Sequence, residues 1–204
     1  MDRLTETRVE WAVSSRPLEP GASGDASIVR PLPGGILLGV VDGLGHGPAA
    51  SAASREAIRI LETADVENLV DVVRLCHQRL RATRGVVLTL AVIDDARDCM
   101  TWLGVGNVHG VLLRAHGEDE PRRETLVGRG GIVGRVLTSL QASLVSLSTG
   151  DLLVLATDGI HPRFAHQVPR REPLQAVADL ILAEHCTGVD DALVLTARYR
   201  GAPV

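Results

Sequence analysis

The chain has 204 residues, 45% of them hydrophobic and 23% charged, with a net charge of -4 at pH 7. This length and composition fit one domain with its own core, and the lack of a basic stripe or tail argues against a nucleic-acid partner. No apolar run approaches the roughly 20 residues that cross a bilayer, and the charged N-terminus does not resemble a signal peptide. We therefore expect a cytoplasmic protein with neither a membrane nor a nucleic-acid partner.

All 21 basic residues of the chain are arginines, since the sequence contains no lysine. A Walker A phosphate loop, a kinase and a Schiff-base enzyme each need a lysine amine, so these three classes are excluded. The three cysteines, at positions 76, 99 and 186, are odd in number and widely spaced. This pattern indicates free thiols in a reducing compartment rather than a disulfide framework.

The first half of the chain combines strand patterns with two helix patterns. Polar and apolar residues alternate over residues 8–15, and further strand patterns cover 26–30 and 34–42, the last being a continuous apolar run typical of a buried strand. The small residues that follow Pro48 predict a closely packed helix. An apolar stripe over residues 66–81 predicts a second helix.

Strand patterns dominate the second half of the chain. Six of them follow Gly85, separated by turn residues: VVLTLAVIDD, MTWLGVGN, HGVLLR, ETLVGRG, SLVSL and DLLVLATD. We interpret them as a meander. Helical spacing returns over residues 174–185, and DALVLTARYR predicts a last strand. Many consecutive strands without intervening helices favour an α+β fold, with antiparallel sheets flanked by helices.

Four acidic segments lie where a predicted strand gives way to a turn. They are SGD at Asp25, VVDG at Asp42, ATDG at Asp158, and VDDA at Asp190 and Asp191. If these strand ends converge, their carboxylates repel one another unless a cation lies between them. Hard divalent ions such as Mg2+ and Mn2+ prefer such oxygen ligands, so the pattern indicates a metal site.

Each acidic segment also has a simpler interpretation. Asp-Gly is a common hairpin signal, and for any one position alone a turn is the more frequent role. Asp42 and Asp158, however, each end a strongly apolar strand, where burying a charge is unfavourable unless something compensates it. Glycine at position 43 would also leave a backbone carbonyl accessible to a cation. The joint pattern therefore favours a metal site.

The segments VVDGLGHGPAAS, LATDGI and VDDALVL, with SGDAS upstream, resemble the PPM family of metal-dependent (type 2C-like) protein serine/threonine phosphatases, in its bacterial SpoIIE-like branch. The resemblance extends from about Trp11 to Tyr199. It implies one phosphatase domain over residues 1–204, with a core at about 8–200. It also implies a four-layer αββα sandwich, in which two central antiparallel sheets are flanked by helices.

The resemblance implies a two-metal mechanism with Mn2+ or Mg2+, in which an activated water attacks phosphorus directly. Asp42 would bridge both ions, Asp25 and the carbonyl of Gly43 would bind one, and Asp158 with Asp190 would bind the other. Asp42 and Asp158 would then be the central catalytic residues.

Three positions differ from the family pattern. Asp191 stands where many members carry Asn, so we expect it to support the ligands rather than bind metal, although the choice between Asp190 and Asp191 stays open. Leu44 replaces the histidine that follows Asp-Gly in many eukaryotic members. His46 is a candidate general acid in its place, the alternative being an ordinary loop histidine. No arginine matches the phosphate-binding arginine of eukaryotic members.

By this resemblance the chain hydrolyses phosphoserine or phosphothreonine on a regulatory protein. Within the branch it is most similar to the stand-alone phosphatase of the bacterial stressosome, because there is no room for a sensory, receiver or membrane module. Phosphorylated stressosome proteins are therefore the expected partners. Two alternatives stay open: a non-catalytic binding module that keeps the phosphatase fold, and a metal hydrolase of small phosphate esters.

Overall fold

Two antiparallel sheets and three helices form most of the part of the chain that the computed structural model describes, residues 8–115 and 122–201. The helices are α1 (Pro48–Thr63), α2 (Leu69–Arg79) and α3 (Leu174–His185). The strands are β1 (Val9–Arg16), β2 (Asp25–Leu32), β3 (Gly35–Gly43), β4 (Val86–Asp94), β5 (Cys99–Val105), β6 (His109–Leu113), β7 (Arg123–Leu126), β8 (Gly131–Ile132), β9 (Val136–Leu137), β10 (Ser143–Ser146), β11 (Leu152–Ala156) and β12 (Ala192–Tyr199).

The strands divide into two five-stranded sheets and a small hairpin. Sheet I has the order β1-β12-β11-β6-β7, and sheet II has the order β10-β5-β4-β3-β2, while β8 pairs with β9. The strands after Gly85 do not form one continuous meander. The chain passes from sheet II to sheet I after β5, returns for β10 and crosses again to β11. Each crossing closes the sandwich, because both sheets need a partner for their apolar inner faces.

Three apolar clusters separate four layers. Helices α1 and α2 cover the outer face of sheet II, α3 covers the outer face of sheet I, and a third cluster fills the space between the sheets. Strand β3 contributes to two of these clusters: Ile36 and Leu38 point between the sheets, whereas Leu37 and Val41 point towards the helices. This double burial explains its continuous apolar run. The architecture confirms the predicted four-layer αββα sandwich of two antiparallel sheets.

The helices follow the predictions closely, with one difference at α2. Helix α1 begins at Pro48, and α3 covers the predicted range. Helix α2 begins at Leu69 rather than at residue 66, because the side chain of Asn68 accepts a hydrogen bond from the Val70 amide (3.0 Å) and caps the helix there. No helix in the described ranges is long and apolar enough to span a membrane.

Candidate metal centre

Asp25 and Asp42 lie directly opposite each other at one end of sheet II. Asp25 is the first residue of β2, Asp42 is the last but one residue of β3, and the two are paired in the antiparallel register. Beyond them, the amide of Gly43 donates a hydrogen bond to the carbonyl of Gly24 (3.0 Å). Two of the four acidic segments therefore meet at one strand-end position, and their side chains share a face because cross-strand partners do.

The other two acidic segments meet at one end of sheet I. Asp158 follows the end of β11 by two residues, and Asp190 with Asp191 directly precedes the start of β12. Strands β11 and β12 are antiparallel neighbours whose register places Ala156 opposite Val194. The end of β11 and the start of β12 consequently lie at the same edge of the sheet.

A buried threonine joins the two sheets at this edge. The Thr157 hydroxyl donates to Oδ2 of Asp25 (2.7 Å) and accepts from the amide of Leu193 (2.9 Å), while Thr157 is 0% exposed. The contact connects the residue that precedes Asp158 with the start of β2. It therefore places the acidic segments of sheet I against those of sheet II.

Asp191 makes a second connection between the sheets. It is 3% exposed, and its two carboxylate oxygens accept hydrogen bonds from the amides of Gly24 (2.6 Å) and Leu18 (2.7 Å). These charge-assisted bonds fix the segment that leads into Asp25. Among the described residues, the neighbouring Asp190 accepts a hydrogen bond only from the amide of Asp191, through Oδ1 (2.8 Å), and it is partly exposed. The two adjacent aspartates thus differ in how many of their carboxylate oxygens are free of hydrogen bonds from the described residues: one in Asp190 and none in Asp191.

The electrostatics of the cluster are those of crowded acids. Burial, and after it the charge of Asp25, raise the pKa of Asp42 to about 8. Burial likewise raises the pKa of Asp25 to about 7, although the hydrogen bond from Thr157 opposes the change. The pKa of Asp158 is also raised, by burial and then by Asp190. In each case neighbouring aspartates contribute to the raised pKa, as expected of carboxyl groups that lie near one another.

Two further polar residues surround Asp158. The side-chain amide of Asn107, which follows β5, donates to Oδ2 of Asp158 (2.6 Å). His109, at the start of β6, is close enough for the Asp158 charge to act on it, but burial has the larger effect and lowers the pKa of the imidazole. The lowered pKa favours the neutral imidazole, which compensates the charge of Asp158 less than an imidazolium would.

Gly43 and Gly159, the glycines after Asp42 and Asp158, are required by close packing rather than by a turn. A Cβ on Gly43 would lie 2.2 Å from the carbonyl oxygen of Ala50 in α1, and one on Gly159 would lie 1.9 Å from the carbonyl oxygen of Asp191. Neither glycine has a positive φ, so neither forms the hairpin turn that Asp-Gly usually signals. Each Asp-Gly pair instead lets another backbone segment approach the site.

His46 lies in the loop between Asp42 and α1. Its side chain is exposed, and it is flanked by Gly45 and Gly47, whose φ angles are 80° and 77°. The residue lies three positions after the end of β3 and two before the start of α1. Its role as a general acid stays a prediction.

The donor set fits hard divalent ions, but the side chains do not yet converge. Asp42 is half-buried, its pKa is raised by burial and by Asp25, and its carboxylate accepts no hydrogen bond from the described residues. A half-buried carboxyl group of this kind is stabilised by a proton or by a cation, and its oxygens suit a hard divalent ion. Within residues 8–115 and 122–201, however, no three His, Cys, Asp or Glu side chains are placed to hold a metal as they stand.

Sequence reasoning missed Thr157 and Asn107. Thr157 directly precedes Asp158 in the ATDG segment, and Asn107 ends the GVGN segment. A polar residue at the end of a buried strand was the available signal in both cases, since such a residue needs a partner. The sequence does not indicate which partner it has, because Asp25 and Asp158 lie far from them along the chain.

Comparison with known proteins agrees with this architecture. The family model for stage II sporulation protein E (SpoIIE) matches residues 33–200. Phosphoserine phosphatase RsbX of Bacillus subtilis (strain 168) is 26% identical over 95 residues, which cover 47% of this chain and 48% of that protein. The alignment therefore spans about half the length of this curated relative.

Solved structures resemble the chain over nearly its whole length. A chain solved in work on the bacterial stressosome, as a modular system adapted to control secondary messenger signalling, is 33% identical with a TM-score of 0.84, covering 93% of this chain and 99% of that chain. RsbX in complex with magnesium has a TM-score of 0.82 at 18% identity, covering 93% and 94%. Because the SpoIIE model matches most of the sequence, the chain belongs to the SpoIIE family of PPM phosphatase domains.

Proposed function

We propose that this chain is a metal-dependent phosphoprotein phosphatase that hydrolyses phosphoserine or phosphothreonine on a bacterial regulatory protein. The observation that carries the proposal is the pairing of Asp25 with Asp42 at the end of sheet II, joined through Thr157 to the strand end that bears Asp158. Asp25, Asp42 and Asp158, from three separate segments, have raised pKa values there, and no arginine among the described residues donates a hydrogen bond to them. Such a cluster is suited to binding divalent cations.

In this proposal each carboxylate has its own part. Asp42 would hold both ions, Asp25 and the carbonyl of Gly43 would hold one of them, and Asp158 with Asp190 would hold the other. When bound, the ions activate a water molecule and hold the phosphoryl group for in-line attack. A bound cation would offset the repulsion among these carboxylates.

Asp191 has a supporting part. Each of its oxygens accepts a hydrogen bond from a backbone amide, so moving this carboxylate towards an ion would disturb the bonds that hold Gly24 and Leu18 in place. The oxygen of Asp190 that Asp191 leaves unused is the better ligand. Asp191 therefore orients the segment that carries Asp25.

The relatives support the choice of substrate and partner. RsbX, which is similar over part of its length, is a phosphoserine phosphatase, and a solved relative comes from work on the bacterial stressosome. We therefore propose phosphorylated proteins of a stressosome-type regulatory system as substrates, met in the cytoplasm. Mn2+ and Mg2+ are the proposed ions, and a magnesium complex is known for RsbX.

The test is phosphate release from a phosphoserine-bearing regulatory protein of the stressosome type, measured against increasing Mn2+. Wild type should release phosphate only with metal, and Asp42→Asn should reduce the rate by about 100-fold or more, since it removes the bridging charge. Asp71→Asn is the matched control: Asp71 is an exposed aspartate of α2 whose ion pair with Arg74 contributes little. It should leave the rate unchanged.

The same assay separates the alternatives. Phosphate release from a small ester or nucleotide, but from no phosphoprotein, would favour a metal hydrolase of small phosphate esters. Absence of release from every substrate while Mn2+ binding is saturated, as measured by calorimetry, would contradict the phosphatase proposal and favour a binding module.

A further inference from the structure

The guanidinium of Arg84 lies against the loop that follows Asp42. Its Nη1 is 2.9 Å from the point where a Cβ of Gly45 would be, so the group rests on the bare backbone of that residue. Gly45 is three residues beyond Asp42 and has a φ of 80°, which glycine adopts without strain. A side chain at position 45 would displace the guanidinium.

Hydrogen bonds on both sides fix the backbone that carries Arg84. The carbonyl of Gly85 accepts from the amide of Leu44 (3.1 Å), which ties Arg84 to the residue after Asp42-Gly43. The Arg84 carbonyl accepts from Nε of Arg135 (3.3 Å), and the next strand is bonded to Val133 (2.9 Å). The position of the arginine stem relative to the end of β3 is therefore set by the fold.

Arg84 is exposed, and no carboxylate among the described residues pairs with it. Some other arginines do have an acidic partner: Arg59 and Arg74 are paired along their own helices, and Arg114 pairs with the buried Asp151. Arg84 therefore holds an uncompensated positive charge beside a loop whose neighbouring strand end carries a cluster of acids.

A phosphate monoester that approaches this cluster carries a charge of about -2 and meets several carboxylates. Bound cations reduce the repulsion, but the outer phosphate oxygens still need donors. Arginine matches phosphate with two parallel N–H groups, and the chain has no lysine to offer instead. Arg84 has the charge, and its guanidinium lies against the loop that follows Asp42.

We propose that Arg84 contacts the phosphate group of the substrate at the proposed phosphatase site. The inference rests on the proposed function and adds the residue that holds the phosphate oxygens turned away from the ions. Because this contact is made with the phosphate group and not with the substrate protein that carries it, Arg84 would bind any phosphate monoester in the same way. Inorganic phosphate, which is the product, should bind through the same group.

The experiment compares Arg84→Gln, Arg84→Lys and wild type with saturating Mn2+. KM for a phosphopeptide and the inhibition constant of inorganic phosphate should each rise about tenfold in Arg84→Gln, which corresponds to about 1.4 kcal/mol. Both should rise less in Arg84→Lys, because the charge is kept but the paired N–H geometry is lost. Arg81→Gln removes an exposed arginine from the preceding turn and should change neither constant.

Calorimetric titration of inorganic phosphate into the Mn2+-loaded protein gives a readout that does not need turnover. Weaker phosphate binding in Arg84→Gln, but not in Arg81→Gln, supports the contact even if no phosphoprotein is hydrolysed. Equal phosphate affinity in Arg84→Gln and wild type overturns it. In that case an active wild type would leave the proposed phosphatase function standing, so the two failures can be distinguished.

Discussion

The buried hydroxyl of Thr157 donates to the carboxylate of Asp25, 132 residues earlier in the chain, across 2.7 Å. Thr157 belongs to the strand end of sheet I, whereas Asp25 opens β2 of sheet II. The bond holds Asp25 in one orientation and lowers its pKa against the stronger effect of burial. One side chain thus positions a proposed metal ligand from the opposite sheet.

Replacing Thr157 by Val should lower both stability and metal affinity. The substitution keeps the shape but leaves Asp25 without its donor and the buried Leu193 amide without its acceptor, at a cost of about 1–3 kcal/mol. A residue behind a metal ligand typically contributes about 10-fold or more in affinity. Urea unfolding in EDTA and calorimetric titration of Mn2+ measure the two effects.

Thr196→Val is the matched control for this change. Thr196 is equally buried, and its hydroxyl bonds the carbonyls of Ala12 and Leu174 away from the acidic cluster. It should lose stability while keeping its affinity for Mn2+. An equal loss of affinity in both variants would show that Thr157 acts only through global stability.

The sequence predicted the layers of the fold because each element carries its own signal. The apolar run of β3 reflects burial on both faces, and the small residues of α1 reflect its close contact with sheet II. Strand order carried no such local signal. The pairing of β11 with β6 and β12 is decided by which apolar faces close the sandwich, and this depends on residues far apart in the chain.

The site was predictable as a set of acids but not as a set of contacts. Strand-end aspartates such as Asp42 and Asp158 stand out in the sequence because charge interrupts an apolar run. Their glycines were open to a hairpin interpretation, which the absence of positive φ at Gly43 and Gly159 removes. The proposed roles of Thr157 and Arg84 depend on partners in other segments of the chain, so no local sequence pattern indicates these roles.

Asp190→Asn should mainly lower Mn2+ affinity, whereas Asp191→Asn should mainly lower the stability of the metal-free protein. Asp191→Asn replaces an oxygen that accepts a backbone amide by a donor, so the metal-free protein should lose about 1–3 kcal/mol. Asp190→Asn removes a repulsive charge and should leave metal-free stability unchanged or slightly higher, while Mn2+ affinity falls more than in Asp191→Asn. Urea unfolding in EDTA and metal titration test both. A stable Asp191→Asn variant with the greater loss of affinity would assign the ligand to Asp191.

Gly43→Ala and Gly159→Ala should both be strongly destabilising. Each added Cβ would fall within 2.2 Å of a backbone oxygen, so α1 or the Asp191 segment must shift. Overpacking of this kind typically costs about 1–3 kcal/mol or more. Gly130→Ala is the control, because an added Cβ there meets nothing within 4 Å and no positive φ is involved. Thermal unfolding should separate the two site variants from Gly130→Ala; similar Tm values in all three would contradict the close approach.

The raised pKa values of Asp25 and Asp42 predict a dependence of metal-free stability on pH. Both groups have a folded-state pKa, about 7 and about 8, above the ordinary value of 3.8. Folding therefore favours their protonated forms, and the stability that this contributes is fully present below the ordinary pKa and is lost as the pH rises through the folded values. The Tm in EDTA should thus fall between pH 6.5 and 8.5, by roughly 2–4 °C for each kcal/mol lost.

Two comparisons tie this dependence to the acidic cluster. The pKa of His109 is lowered in the folded protein, so its effect on stability changes with pH only below the ordinary histidine pKa of 6.5. The interval from pH 6.5 to 8.5 therefore excludes the effect of His109. Asp42→Asn removes the group with the higher of the two values and should flatten the curve. Saturating Mn2+ should also flatten it, because ions bind the deprotonated carboxylates and compete with protons. A wild-type Tm in EDTA that stays constant or rises from pH 6.5 to 8.5 would mean that these carboxyls are already ionised in the folded protein.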